Sequence, residues 1–213
     1  MKKKITIPVF LIVCIFSSAV FAADKEKEKI TDLTPWKGDN ISIVTLYENE
    51  AGERFFKEIL ELLPKGYTKK MVKDSIYDLY YMKLKSLNVM DENTIIIDDK
   101  LTGDYIHVCS IGMDLGSHTA AWQVFKTESK EMIQAGFKYI LFLPYHQSNK
   151  DTLRHAHLRY GNENFDFLTT DPSVKSWWPT IYQPTKTDEA KATAQMTTPR
   201  MVKMMAGMMK KRQ

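Results

Sequence analysis

Cysteine is scarce in this chain, which has only two cysteines in 213 residues. Cys14 lies in an N-terminal segment that we expect to be removed, so Cys109 has no partner for an internal disulfide. A disulfide-stabilised scaffold is therefore excluded. Cys109 is either a buried core thiol or a reactive one, and its place in the alternating stretch YIHVCSI favours the buried form. The same alternation predicts that Tyr105, His107 and Cys109 share one face of a strand.

The chain also lacks the short motifs that mark several classes of enzyme. It has no glycine-rich phosphate loop, no G-x-S-x-G segment and no H-E-x-x-H segment. No internal repeat period is evident. The sequence therefore offers no support for a nucleotide-dependent enzyme, an α/β-hydrolase or a zinc protease of the HExxH type.

The N-terminal segment, residues 1–22, has the pattern of a secretory signal peptide. Three lysines at positions 2–4 precede an apolar run from Ile5 to Phe21, and small residues suit cleavage after Ala22 or Ala23. The apolar run is short and the charged segment DKEKEK follows it closely, which argues against a retained membrane anchor. We therefore expect an exported, periplasmic protein without a stable membrane anchor.

The mature chain is close to neutral overall but uneven in charge. Loss of the signal peptide lowers the formal net charge from +4 to about +1. Five basic and no acidic residues follow position 199, so the rest of the mature chain carries about −4. A body with this charge argues against nucleic acid as a partner.

Composition divides the mature chain into a charged leader (23–33), a single domain (34–195) and a Met-rich basic tail (196–213). Thioether sulfur is a soft ligand that suits Cu(I), so a copper-binding tail is one interpretation of the methionine run. An amphipathic helix or a mobile end is the commoner meaning of such a run. The tail contains six methionines: Met196, Met201, Met204, Met205, Met208 and Met209.

Two helices precede a series of strands. Apolar residues at helical spacing predict one helix in ERFFKEILELL, and a second begins after Thr68 as its N-cap. From Leu84 onwards the pattern predicts six short strands separated by turn residues, and a C-terminal helix is expected near Thr187. This order predicts a mainly β fold with added helices, in which an antiparallel meander forms a barrel or a strongly bent sheet.

Three of the five histidines lie in one short stretch, HQSNKDTLRHAHLRYGN, at residues 146–162. His155 and His157 project from the same side of a strand because side chains alternate. His146 ends the preceding strand, on the predicted face of Ile140 and Phe142, and a short loop can return it alongside the other two. Three histidines with an open fourth position form a recognised zinc ligand set. The alternative is a solvent-facing histidine pair beside a turn histidine.

Several segments resemble the ZinT family, also called YodA, of periplasmic zinc-binding proteins. The segments KYILFLPYH, HAHLRYGN and WWPTIYQPTKTDE are similar to its C-terminal half, and LTPWKGD is similar to its opening segment. The resemblance spans nearly the whole mature chain and is most specific over residues 138–189. It implies an antiparallel lipocalin-like (calycin) β-barrel preceded by two helices and followed by a C-terminal helix.

The resemblance also implies a ligand set. His146, His155 and His157 would be the zinc ligands, and Glu189, near the start of the last helix, would approach the metal. Glu189 is equally interpreted as a first-turn acid favoured by the helix dipole, with water or chloride in the fourth position. The chain departs from the family pattern at Arg159, where an apolar residue is usual, and in its lack of an N-terminal histidine-rich segment.

The function implied by this resemblance is that of a zinc-binding protein of the periplasm, not an enzyme. It would buffer or recruit Zn²⁺, with Cd²⁺ or another divalent transition metal as alternative cargo, and pass zinc to the binding protein of a zinc ABC transporter. Two alternatives stay open, namely a zinc-dependent hydrolase with an open three-histidine site and a lipocalin-like binder of an apolar ligand. No general base is evident near the histidines in the sequence, which favours the carrier.

Overall fold

A computed structural model describes residues 30–114, 119–147 and 153–211. The predicted signal peptide and most of the charged leader lie outside these ranges. Within them, no helix is long and apolar enough to cross a membrane.

The structure is built around a nearly closed antiparallel barrel. The nine strands of the described ranges are β1 Gly38–Ser42, β2 Ser86–Val89, β3 Thr94–Ile97, β4 Leu101–Asp104, β5 Ile106–Asp114, β6 Thr119–Lys126, β7 Tyr139–Phe142, β8 His155–Gly161 and β9 Thr180–Tyr182. They pair in the order β4-β3-β2-β1-β9-β8-β7-β6-β5. The prediction of a mainly β fold with an antiparallel barrel is therefore confirmed.

The sequence-based prediction of six strands was too low, because β1, β4 and β9 were missed. These strands are three to five residues long. All three residues of β9 are buried, so its sequence shows no alternation of apolar and polar side chains. A strand this short is recognised only through its neighbours, and β9 pairs with β8 on one side and β1 on the other.

Helices lie on both sides of the barrel strands in sequence, as predicted. The two early helices, α1 Glu50–Glu61 and α2 Lys69–Tyr80, follow β1 and precede β2. Thr68 caps α2 as predicted, because its side chain accepts a hydrogen bond from the Met71 N–H. Two further short helices, α3 Lys130–Gln134 and α4 Phe165–Thr170, join strands and were not predicted.

The C-terminal region contains two helices rather than the one expected near Thr187. They are α5 Glu189–Met196, capped by Asp188, and α6 Pro199–Lys210. Helix α6 falls within the Met-rich tail, and it packs into the same hydrophobic cluster as α1 and α2. Packing therefore accounts for the methionine run. The buried face of α6 consists of Met201, Val202, Met205, Ala206 and Met209.

The barrel interior is filled by side chains that come from strands all around it. Trp36 stacks on Phe142 with ring centres 4.9 Å apart and meets Phe125 edge-on at 5.8 Å. The interior cluster also includes Leu87, Val89, Ile95, Ile97, Tyr105, Ile140, Ala156, Leu158, Tyr160 and Ile181.

The prediction that His107 and Cys109 share a face is wrong. His107 pairs with Phe125, an interior residue, whereas Cys109 pairs with Val124, which belongs to a separate cluster outside the barrel. The register of β5 against β6 shifts between His107 and Cys109, which marks a β-bulge. The extra residue places the two side chains on opposite faces.

The start of α1 approaches the preceding 3₁₀ turn so closely that only glycine fits at position 52. A Cβ atom there would collide with the Tyr47 carbonyl oxygen, whereas a Cβ at Gly207 in α6 would meet nothing within 4 Å. We expect Gly52→Ala to lower the free energy of unfolding by about 2 to 3 kcal/mol, because backbone must move.

The matched control is Gly207→Ala, which should raise the free energy of unfolding by about 0.5 to 1 kcal/mol through helix propensity alone. Urea unfolding of both variants measures the two effects. Equal stabilities would contradict the close approach of α1 to Tyr47.

Candidate metal centre

Strand β8 presents its residues alternately to two environments. Ala156 and Leu158 belong to the interior cluster, so His155, His157 and Arg159 project from the opposite face. The prediction that the two histidines of HAH share one side is confirmed. Their face is the outer face of the barrel, not the apolar interior.

The pairing between β7 and β8 changes register close to the histidines. The ladder is regular up to Leu143, whose N–H donates to the His157 carbonyl at 2.9 Å. The next pair is His146 with His155, whose backbones exchange two hydrogen bonds of 2.7 and 3.0 Å. The segment after β7 thus advances three residues, from 143 to 146, while β8 spans only two, from 157 to 155. Pro144 lies within the irregular segment, where its missing N–H removes a ladder donor.

This one-residue shift decides which face His146 occupies. By simple alternation His146 would lie with Ile140 and Phe142, which are interior residues. Directly paired residues project from the same face of a sheet. His146 therefore joins His155 and His157 on the outer face, and the prediction that it shares a face with Ile140 and Phe142 is wrong.

The three imidazoles form a row. The ring centres of His146 and His155 are 5.7 Å apart, and those of His155 and His157 are 5.3 Å apart. Two imidazoles on a tetrahedral zinc ion, with Zn–N distances of about 2.0 to 2.1 Å, have ring centres about 5 Å apart. Within the described ranges, no three His, Cys, Asp or Glu side chains are yet arranged to hold a metal ion.

Two hydrogen bonds orient the partly buried rings of His155 and His157. His155 Nδ1 lies 3.2 Å from the Leu153 carbonyl oxygen, which can only accept. His157 Nδ1 lies 2.8 Å from Thr180 Oγ1, and that hydroxyl donates its proton to the Trp178 carbonyl. Both Nδ1 atoms therefore carry the hydrogen, and Nε2 carries the lone pair in each neutral ring. Carbonyl and hydroxyl partners of this kind orient metal-ligating histidines.

Burial keeps these two rings neutral. It lowers the pKa of His155 to about 4, with a smaller contribution from His146, while the hydrogen bond to Leu153 opposes the shift. Burial lowers the pKa of His157 to about 3, and the positive charges of His155, His146 and Arg159 act in the same direction. Neutral imidazole is the form that ligates metal. At neutral pH both rings are therefore in the neutral form.

The position of Glu189 links it to the histidines only indirectly. It is the first residue of α5, and its Oε1 accepts a hydrogen bond from the Tyr182 hydroxyl at 3.1 Å. Tyr182 is the strand partner of His155. Glu189 also lines an open groove of about 730 Å³ between α1 and α5. Its role as a metal ligand stays a prediction.

Thr180 and Trp178 were not recognised as functional residues from the sequence. Thr180 is fully buried and is the strand partner of His157, while Trp178 packs its indole edge-to-face against the same imidazole at 5.4 Å. Both belong to the segment WWPT, whose likeness to the ZinT family was the one available signal. Their role depends on β9, a strand too short to predict.

Comparison with solved structures finds similar folds in zinc-bound proteins. The Zn(II)-bound ZinT-like domain of Streptococcus pneumoniae AdcA matches with a TM-score of 0.55 and 16% identity, over 80% of this chain and 92% of that domain. The chain has a ZinT-like fold. Zn(II)-bound AdcA of S. pneumoniae gives the same TM-score at 17% identity, over 78% of this chain and 35% of AdcA.

This chain therefore spans about a third of AdcA, at 35% of that protein's length. A scan against models of protein families matches none, and a search of curated proteins finds no similar sequence. At such low identity the structural likeness establishes the fold of this chain.

The lowered pKa values of His155 and His157 make stability depend on pH. Below about pH 6.5 the unfolded chain takes up protons that the folded ZinT-like chain excludes. Without metal, we expect the free energy of unfolding to decrease as the pH falls from about 6.5 towards 4. Urea unfolding across this range measures the slope.

The double variant His155→Ala/His157→Ala should have a clearly shallower slope than the parent protein. The same slope in the parent protein and the double variant would show that these two rings are not the groups responsible.

Proposed function

We propose that this protein binds zinc through His146, His155 and His157 and serves as a zinc buffer or carrier in the periplasm. It takes up Zn²⁺, or Cd²⁺ as alternative cargo, and passes zinc to the binding protein of a zinc ABC transporter. Its task is metal exchange rather than catalysis. The proposed location rests on the signal-peptide pattern of residues 1–22.

The observation that carries this proposal is the backbone pair between His146 and His155. It places three histidines on one face, and two of them have Nδ1 oriented by Leu153 and Thr180. Support also comes from the zinc-bound state of both structures to which the fold is similar.

Zinc binding would require the three imidazoles to converge on one point. His146 is exposed and lies on the same face as the two partly buried rings. Zinc held by three imidazoles keeps a fourth position for water, chloride or a carboxylate such as Glu189. An open fourth position also allows a receiving protein to supply a ligand before the histidines release the ion.

A zinc-dependent hydrolase would use the same ligands but would also require further catalytic groups. A hydrolase needs a general base or a substrate-positioning group beside the metal-bound water. Thr180 and Leu153, the groups hydrogen-bonded to the histidines, are neutral and engage the Nδ1 atoms behind the rings. This arrangement supports metal binding rather than catalysis. We therefore expect the zinc-loaded protein to hydrolyse activated esters no faster than free zinc does.

Zinc titration by calorimetry tests the proposed site directly. We expect the metal-free protein to bind about one equivalent of Zn²⁺ tightly, and His155→Ala/His157→Ala to lose that binding, because one remaining imidazole cannot hold the ion. His107→Gln, which changes a histidine in the barrel, should bind as the parent protein does. Equal binding by the parent protein and the double variant would rule out the three-histidine site.

The hydroxyl of Thr180 provides a second, subtler test. Thr180→Val keeps the shape of the buried side chain but removes the acceptor of His157 Nδ1–H, so zinc affinity should fall by roughly 10- to 100-fold. Thr180→Ser retains the hydroxyl and should stay close to the parent affinity. A valine variant that binds as tightly as the serine variant would show that Thr180 does not orient His157.

A further inference from the structure

Arg159 places a buried cation beside the proposed zinc ligands. It follows His157 by two residues on β8 and projects from the same face. Only 3% of its surface is exposed, and its guanidinium lies 5.1 Å from the ring centre of Trp122 and 5.2 Å from that of Trp178. Trp178 also contacts the His157 imidazole. One indole thus touches both the cation and a proposed ligand.

The groups around Arg159 stabilise its positive charge but do not neutralise it. Its Nη1 donates to the carbonyl oxygens of Leu168 at 2.7 Å and Thr169 at 3.5 Å, near the end of α4. Its Nε is buried with no hydrogen-bond partner, and none of the ion pairs in the described part of the chain involves this residue. Carbonyl dipoles and indole faces stabilise a cation but leave its net charge in place.

We infer that Arg159 is a specificity-determining residue whose fixed charge weakens the histidine site for divalent ions and so keeps the bound ion exchangeable. This inference rests on the proposed zinc site. Arg159 is itself buried, so water and salt screen its charge less than they screen the charge of a surface cation. The repulsion between the guanidinium and a metal ion is proportional to the charge of the ion, so a dication is disfavoured more than a monocation.

Arg159 follows His157 by two residues on the same face of β8, and Trp178 contacts both side chains. A metal ion at the His157 imidazole would therefore lie in the field of the guanidinium. A carrier gains from this arrangement, because an ion bound too tightly is released too slowly to be passed on.

The competing explanation is that Arg159 acts only as an anchor that ties the end of α4 to β8. Substitutions that change charge and hydrogen bonding separately distinguish the two. Arg159→Met removes the charge and the bonds to Leu168, Arg159→Gln removes the charge but keeps an amide donor, and Arg159→Lys keeps the charge. Arg200→Met removes an equal charge from the exposed surface of α6 and serves as the control.

Calorimetric titration of each full-length variant with Zn²⁺ tests the inference, and the glutamine and lysine variants are also titrated with Ag⁺ in a Cys109→Ser background, which removes a competing thiol. We expect the methionine and glutamine variants to bind Zn²⁺ roughly tenfold more tightly, and the logarithmic gain of the glutamine variant for Ag⁺ to be about half as large. The lysine variant and the Arg200→Met control should bind Zn²⁺ as the parent protein does. A purely structural anchor would not produce a gain that scales with ionic charge.

Unchanged or weaker Zn²⁺ binding in the folded charge-removing variants would overturn the inference, as would an equal gain in the lysine variant. Circular dichroism checks folding, and the glutamine variant keeps the test available if the methionine variant does not fold. Failure of the proposed function itself has a different signature. In that case the parent protein and His155→Ala/His157→Ala bind zinc equally. The inference about Arg159 is then wrong as well, because it requires the three-histidine site.

Discussion

The backbone pair between His146 and His155 is the constraint on which the candidate site depends. A regular continuation of the ladder from Leu143 and His157 would have turned His146 into the barrel, against the packed aromatic interior. The extra residue on the β7 side reverses that orientation at little cost, because Pro144 offers no donor to the ladder. One irregularity in strand pairing therefore converts a histidine pair into a row of three.

A second layer of contacts sets the orientation and the protonation state of two of the three imidazoles. The Leu153 carbonyl and the Thr180 hydroxyl select the Nδ1–H form of two rings, and burial keeps those rings neutral. The same burial lowers the free energy of unfolding at acidic pH, because the unfolded chain accepts protons that the folded chain excludes. Arg159 adds a positive charge on this face, and no carboxylate of the described residues forms an ion pair with it. In the proposed function, the histidines would bind the metal and Arg159 would favour its release.

Much of the fold was predictable because it follows from local patterns. Alternation along HAH placed His155 and His157 on one side, helical spacing identified α1, and the Thr68 cap located α2. The missed strands β1, β4 and β9 are too short to show a period. The bulge between His107 and Cys109 was missed because nothing in the local sequence marks the extra residue. That residue nevertheless moves each later side chain of the strand to the opposite face of the sheet.

By itself, the sequence determined the fold class, the order of the main elements and the identity of the candidate ligands. These depend on composition and on the spacing of residues close together in the chain. Only the tertiary structure decided which face carries the site, because the face of His146 is set by its pairing with a strand that begins nine residues later. It likewise decided the roles of Thr180, Trp178 and Arg159, whose contacts join strands and helices that the sequence keeps apart.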